Sequence, residues 1–168
     1  MSIPATDTTT DLMVRKSVTV AAPLAVAFEV FTAQIESWWP MASHHIGQAE
    51  CAAVVIEPRA GGRWYERGVD GSECDWGRVL LWDQPNRVTL IWQLSAQFQF
   101  DATLRTEVNV RFTALDAGTT RVDLEHRGLD AYGADAPAMR ETFSSPTGWN
   151  GMLEHYAQVA ARRPQPGA

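Results

Sequence analysis

Cysteine is scarce in this chain: two in 168 residues, Cys51 and Cys74, with no C-x-x-C pair. That excludes a disulfide framework and leaves two free thiols, as expected of a protein in a reducing cytoplasm. Positive charge is also short, at 14 Lys and Arg against 20 Asp and Glu, for a net charge of -6 and a pI near 5.1. Nucleic acid or an anionic membrane would want a basic face, so neither is expected as a partner. No apolar run approaches a membrane span, and the opening MSIPATDTTTDLM has no cationic stretch followed by an apolar one, so no secretory signal is expected. P-loop, dinucleotide and nucleophile-elbow motifs are missing, and Gly61-Gly62 reads as a turn. His44 and His45 are immediate neighbours, while Cys51, Cys74 and His155 are scattered. That is no metal-ligand spacing, and no metal or cofactor is expected.

Apolar residues make up 45% of the chain, and seven of its residues are Trp. Such a composition supports one globular domain, placed at residues 13–163 between a disordered arm (1–12) and a tail (164–168). The chain is organised around its last helix, read as Pro146 to Arg163. There Trp149, Met152, Leu153, Tyr156 and Val159/Ala160 recur at helical spacing and form one apolar stripe. Ser145 reads as its N-cap, with Pro146 at the first helical position.

Upstream, Val14 to Val20 alternates as a strand, and Pro23 opens a helix whose Leu24, Ala27, Phe28 and Phe31 share a face. Ile35 and Trp38 extend that face through a kink near Thr32, and Pro40 stops it. Met41 to Gln48 is a loop. Beyond Glu50 the period becomes two, predicting strands at Cys51–Ile56, Arg63–Arg67, Glu73–Trp82, Arg87–Leu94, Leu104–Leu115 and Thr119–Arg127. The segment SAQFQFDAT is a longer connection, and a short helix is expected around Ala136 to Phe143.

Two registers can be tested by counting. If Leu115 opposes Thr119, then Glu107 faces Arg127 and Arg111 faces Asp123 on one side of the hairpin, while Val108, Val110 and Phe112 face His126, Leu124 and Val122 on the other. Counting through GVDGS pairs Trp64 with Trp76 and Glu66 with Cys74. Counting through DQPN pairs Leu81 with Val88 and Val79 with Leu90. These demand opposite phases of one strand, so a bulge is expected at or beside Gly77.

The order of strand, two short helices, six antiparallel strands and long helix resembles the helix-grip (Bet v 1/START-like, SRPBCC) superfamily. VRKSVTVAAPLAVAFEVFTAQIESWWP, IEPRAGGRWYERGVDGSECDWGRVLLWDQPNRVTLIWQL, TRVDLEHRGL and SPTGWNGMLEHYAQVA resemble its branch similar to the C-terminal domain of the activator of the Hsp90 ATPase. The resemblance implies an α+β fold with a curved antiparallel sheet of about seven strands around the C-terminal helix. It also implies a space between sheet and helix that is often open.

The expected function is binding of an apolar or aromatic small molecule in that space, lined by Trp38, Trp64, Leu90, Trp92, Val108, Val110, His126, Trp149, Leu153 and Tyr156. Trp38-Trp39 and Phe98/Phe100 would close its ends. Inward-facing His126 reads either as a general base or ligand anchor, or as a core histidine satisfied by a backbone carbonyl or Tyr156. Glu66, and Asp75 if turned inward, read either as a second acid or base or as carboxylates that are exposed or paired with an arginine such as Arg63 or Arg78. Cys74, next to Trp76, reads either as a reactive thiol or, with no cationic neighbour evident, as a packed structural one. The alternatives are a cyclase- or hydrolase-like enzyme using His126 with Glu66, and a protein-interaction module. In that last case the resemblance implies a toxin-like partner of an ArsR-type repressor or a chaperone-associated role. Either a monomer or a homodimer is compatible with all three.

Overall fold

Period-two alternation between Val14 and Arg127 builds one antiparallel sheet of seven strands. The computed structural model describes residues 12–162, so the expected arm, apart from Leu12, and the expected tail lie outside the described residues. The strands are β1 (Val14–Val20), β2 (Cys51–Ile56), β3 (Arg63–Gly68), β4 (Glu73–Asp83), β5 (Arg87–Trp92), β6 (Thr106–Asp116) and β7 (Thr119–Arg127), in the spatial order β1-β7-β6-β5-β4-β3-β2. Five successive hairpins therefore make the sheet, and β1 joins it on the far side of β7. Helix α1 (Leu24–Phe31) and a 3-10 turn (Ile35–Ser37) separate β1 from β2; a 3-10 segment (Leu129–Asp135), α2 (Ala136–Ser144) and α3 (Trp149–Ala161) follow β7. This is the α+β helix-grip architecture expected, with the curled sheet wrapped on α3.

The expected kink is real: Thr32 ends α1, and its buried hydroxyl donates to the Phe28 carbonyl at 2.7 Å. The last helix, however, is 13 residues long and starts at Trp149, not Pro146. Residues 145–148 instead form a turn closed by the Gly148 N–H on the Ser145 carbonyl at 2.9 Å. The Ser145 hydroxyl donates backwards to the Thr142 carbonyl at 2.8 Å, so it finishes α2 rather than capping α3. Gly148 is the N-cap, where a Cβ would lie 2.4 Å from the Phe143 carbonyl oxygen. The buried stripe is the one expected, Trp149, Met152, Leu153, Tyr156 and Ala160.

In the β6–β7 hairpin, Val108 opposes His126, Val110 opposes Leu124 and Phe112 opposes Val122, with Glu107–Arg127 and Arg111–Asp123 paired on the other face. Only the turn differs. Asp116, not Leu115, opposes Thr119, and Leu115 is the extra residue of a bulge, 54% exposed.

Strand β4 changes phase twice. Glu66 faces Cys74 as expected, but Trp64 faces Gly77 rather than Trp76, which is the unpaired residue of a bulge beside Gly77. Val79 faces Leu90 as expected, but Leu81 faces Thr89 rather than Val88, because a second bulge falls at Leu80. The two shifts let Trp76, Val79 and Trp82 all turn inward from one strand, with Trp82 packing edge-on against Phe28 at 5.1 Å. The connection from β5 to β6 is pinned by an isolated bridge, Leu94 to Phe100.

Six of the seven Trp, at positions 38, 39, 64, 76, 92 and 149, form a linked aromatic cluster with ring centroids 5.1 to 6.4 Å apart. A Cβ on Gly77 would lie 1.7 Å from the Ile91 carbonyl oxygen, so the bulge works only with glycine there. Gly77→Ala is expected to cost at least the upper end of the roughly 1–3 kcal/mol typical of overpacking, read by urea denaturation. Gly118→Ala, where a new Cβ meets nothing within 4 Å, should stay within about 0.5 kcal/mol of wild type. Equal stabilities for the two variants would show that β5 can move away.

Candidate functional site

The expected pocket residues separate into two groups. Trp38, Trp64, Leu90, Val108, Val110, His126, Leu153 and Tyr156 are packed into the core, each no more than 2% exposed. Trp92 and Trp149 instead border a cleft of about 360 Å³ at one end of the sheet–helix interface. The cleft is also lined by the buried Trp39, Trp76, Leu94, Phe143, Gly148 and Met152 as its walls, and by the more exposed Ser43, His44, His45, Ile46, Phe98, Thr142 and Thr147 as its rim. Phe98 holds a left-handed backbone (φ 57°), uncommon for a bulky residue, and is 39% exposed.

His126 is a core histidine, though its partners are neither a backbone carbonyl nor Tyr156. The Trp149 indole N–H donates to Nδ1 at 3.1 Å, which places the ring proton on Nε2, 2.9 Å from the Thr106 hydroxyl. That hydroxyl in turn donates to the Trp92 carbonyl at 3.1 Å. The imidazole is packed between Phe143 (4.4 Å) and Trp92 (5.1 Å), and burial pushes its pKa down to about 3. Tyr156 donates instead to the Ala27 carbonyl at 2.6 Å, with its hydroxyl pushed far above the ordinary value by burial.

Glu66 is 1% exposed, and its oxygens are filled by three N–H donors. Oε1 accepts from the Ile46 amide (2.6 Å) and the Trp76 indole (2.8 Å), and Oε2 accepts from the Gly47 amide (3.0 Å). A buried carboxylate is tolerable on such terms. Its effect is to clamp the loop at 46–47 onto β3 and β4, fixing one wall of the cleft. The loop is held again where the Trp39 indole donates to the His44 carbonyl (2.9 Å) and His44 Nε2 reaches the Thr147 carbonyl (2.8 Å).

Asp75 takes the arginine-paired alternative, 2.8 Å from the Arg63 guanidinium. Both cysteines are free, and burial first, then Glu66, raises both thiols, which keeps them protonated. His155 Nδ1 sits 2.9 Å from the Trp38 carbonyl, away from the cleft. Among the described residues no three His, Cys, Asp or Glu side chains gather as metal ligands, and no helix is long and apolar enough to cross a membrane.

The polar rim was not among the expected site residues. Its one local signal was a His-His pair in a loop, and loops carry function more often than cores do.

His126 should be visible in the pH dependence of stability. Its native pKa, about 3, lies below the ordinary 6.5, so the unfolded chain binds the extra proton between those values. Stability is therefore lost as pH falls through that window, by about 1.4 kcal/mol per unit, and is unaffected above it. Between about pH 7.5 and about pH 5, wild type should lose about 2 kcal/mol more than His126→Gln in urea titrations; carboxylate contributions cancel in the difference. Parallel curves would show that native His126 takes up a proton.

The family described as Activator of Hsp90 ATPase homolog 1-like protein matches residues 21–161. No curated protein matches. Among solved structures, the chain is similar to Txn09, an anthrahydroquino-γ-pyrone synthase complexed with SUM, at 39% identity over 88% of this chain and 96% of that one (TM-score 0.62). It is similar to CalC, a self-sacrificing resistance protein from Micromonospora echinospora, at 30% identity over 88% and 93% (TM-score 0.66). Protein MLL2253 from Mesorhizobium loti shares the fold at 20% identity over 90% and 98% (TM-score 0.65). With its sheet, its gripping helix and residues 21–161 all accounted for, the chain belongs to the Activator of Hsp90 ATPase homolog 1-like family of the helix-grip superfamily.

Proposed function

We propose that the protein binds a planar, polycyclic aromatic small molecule bearing hydroxyl or carbonyl groups, in the cleft between the 41–48 loop, β4–β5 and the start of α3. The observation that carries this reading is the cleft's make-up: four indoles and a phenyl ring as walls, with histidines and hydroxyls confined to the rim. Such walls stack on a flat apolar body while the rim meets its polar edge. The volume, about 360 Å³, falls within the roughly 300–1,000 Å³ of small-molecule sites. Burying roughly 330 Å² of apolar surface at about 25 cal/mol per Å² corresponds to micromolar affinity before the costs of association.

The similarity to Txn09, named for a fused aromatic pyrone, supports this ligand class. It also favours a second reading, in which the bound molecule is turned over. The interaction role beside a repressor or chaperone has no comparable feature behind it. Among the described residues the large exposed apolar side chains are Val69, Leu80, Phe98, Phe100 and Leu115, spread over two hairpin turns, one outward-facing strand position and the connection after β5.

Calorimetric titration with alizarin and emodin, and with decanoic acid for contrast, should give micromolar binding of the anthraquinones and at least tenfold weaker binding of the acid. Thr142→Trp, which fills the mouth from an exposed position, should weaken anthraquinone binding at least tenfold, and Phe98→Ala by about 1 kcal/mol. Failure of every aromatic at high micromolar concentration, or indifference to Thr142→Trp, would remove the reading.

A further inference from the structure

The two rim histidines differ in what their ring nitrogens can still do. His44 is engaged at both: Nε2 faces the Thr147 carbonyl at 2.8 Å and must carry the proton, which leaves Nδ1 to accept from the Ser43 hydroxyl at 2.8 Å. His45 is engaged at one. Its Nδ1 lies 3.0 Å from the Gly47 carbonyl, an acceptor only, so the proton of the neutral ring sits on Nδ1. Nε2 then holds a lone pair, with no hydrogen-bond partner among the described residues. The side chain is 22% exposed and lines the cleft.

Behind the same Nδ1, at 3.9 Å, is Oε2 of Glu66, whose side chain is 2% exposed. The carboxylate cannot swing away, because the Ile46 and Gly47 amides and the Trp76 indole hold it. Two further titratable groups lie nearby: His44, the preceding residue, whose ring is engaged at both nitrogens, and Cys74, whose sulfur would be 3.3 Å from a Cβ on Gly47 and which, kept protonated, adds no charge. A ring that accepts a proton at Nε2 keeps its Nδ1–H on Gly47 and gains a positive charge beside a fixed, water-shielded negative one. One nitrogen oriented by a carbonyl, a fixed carboxylate charge 3.9 Å behind it, and the other nitrogen free toward a substrate is an arrangement suited to a general base.

We propose that His45 is the proton-accepting group of this cleft and Glu66 its positioning residue, so that the site ionises a phenolic or enolic hydroxyl of its aromatic ligand. The inference rests on the binding reading above and replaces His126 with His45 as the partner of Glu66. In the step, the ligand O–H bond breaks, an Nε2–H bond forms, and the electron pair stays on oxygen as a phenolate or enolate nucleophile. The imidazolium returns its proton to the product of the rearrangement or ring closure that follows, so no oxidant, reductant or cosubstrate is consumed.

The test uses the full chain and alizarin, whose visible spectrum reports ionisation of its hydroxyls. Bound to wild type, the dye should ionise at least one pH unit, or tenfold in proton concentration, below the free dye. His45→Gln, read at saturating protein, should lose that shift. Glu66→Gln should lose most of the shift while His45 of the ligand-free variant keeps its Nδ1–H tautomer in nitrogen-15 spectra, whereas loss of the loop clamp alone would disturb that tautomer. Nitrogen-15 spectra of the ligand-free protein should show His45 as the Nδ1–H tautomer, a reading that needs no variant to fold. Dye that binds without a shift, a shift that survives His45→Gln, or an Nε2–H tautomer would overturn this proposal and leave binding standing. No dye binding to wild type would overturn both.

Discussion

A buried carboxylate with three N–H donors and little access to water organises this end of the molecule. Glu66 must be satisfied where it stands, because leaving it unpaired would cost several kcal/mol. Each donor ties down something different. The Ile46 and Gly47 amides bring the loop after Pro40 onto the sheet, and the Trp76 indole belongs to the residue that the first β4 bulge leaves unpaired. The bulge, the inward turn of Trp76 and the cleft wall therefore form one coupled arrangement. Gly77 makes it sterically possible, and Glu66 gives it a reason to close.

The interior between the sheet and α3 is solved differently. There the only buried imidazole is satisfied by a chain of donors and acceptors from Trp149 through His126 and Thr106 to the Trp92 carbonyl. Every member is paired, so the chain fixes how the helix is rotated against the sheet, and apolar packing alone would leave that looser. The same completeness removes His126 from acid–base chemistry at neutral pH. Polar groups that are fully satisfied hold structure, and those left with a free lone pair at a rim are available to a ligand.

Much of the fold was legible because the signals were periodic. The β6–β7 register followed from charges that only one alignment could pair, and the β4 bulge followed from two turn lengths that could not both hold without an extra residue. The second bulge at Leu80 left no trace, since DQPN is compatible with either count. The last helix was read too long because Ser-Pro is a good helix start in isolation. Here a tight reversal from α2, passable only by Gly148, used those residues first. The site was less legible for a related reason: large aromatics mark both a core and a pocket wall. Which of them border open space depends on a loop whose position is set by one residue of β3, twenty positions away from Ile46. Trp92 and Trp149 were foreseen, whereas Ser43, Thr142 and Thr147 had no pattern to announce them and His44 and His45 only their adjacency in a loop.

The linked indoles have an optical consequence. Rings with centroids 5 to 6 Å apart exchange excitation energy faster than they emit, so light absorbed by one tryptophan is shared among those of the loop, the sheet and the helix. The chain thus carries a single extended chromophore spanning all three elements that meet at the cleft. Its near-ultraviolet dichroism registers their mutual orientation as one signal, and a quencher touching any member darkens the whole set.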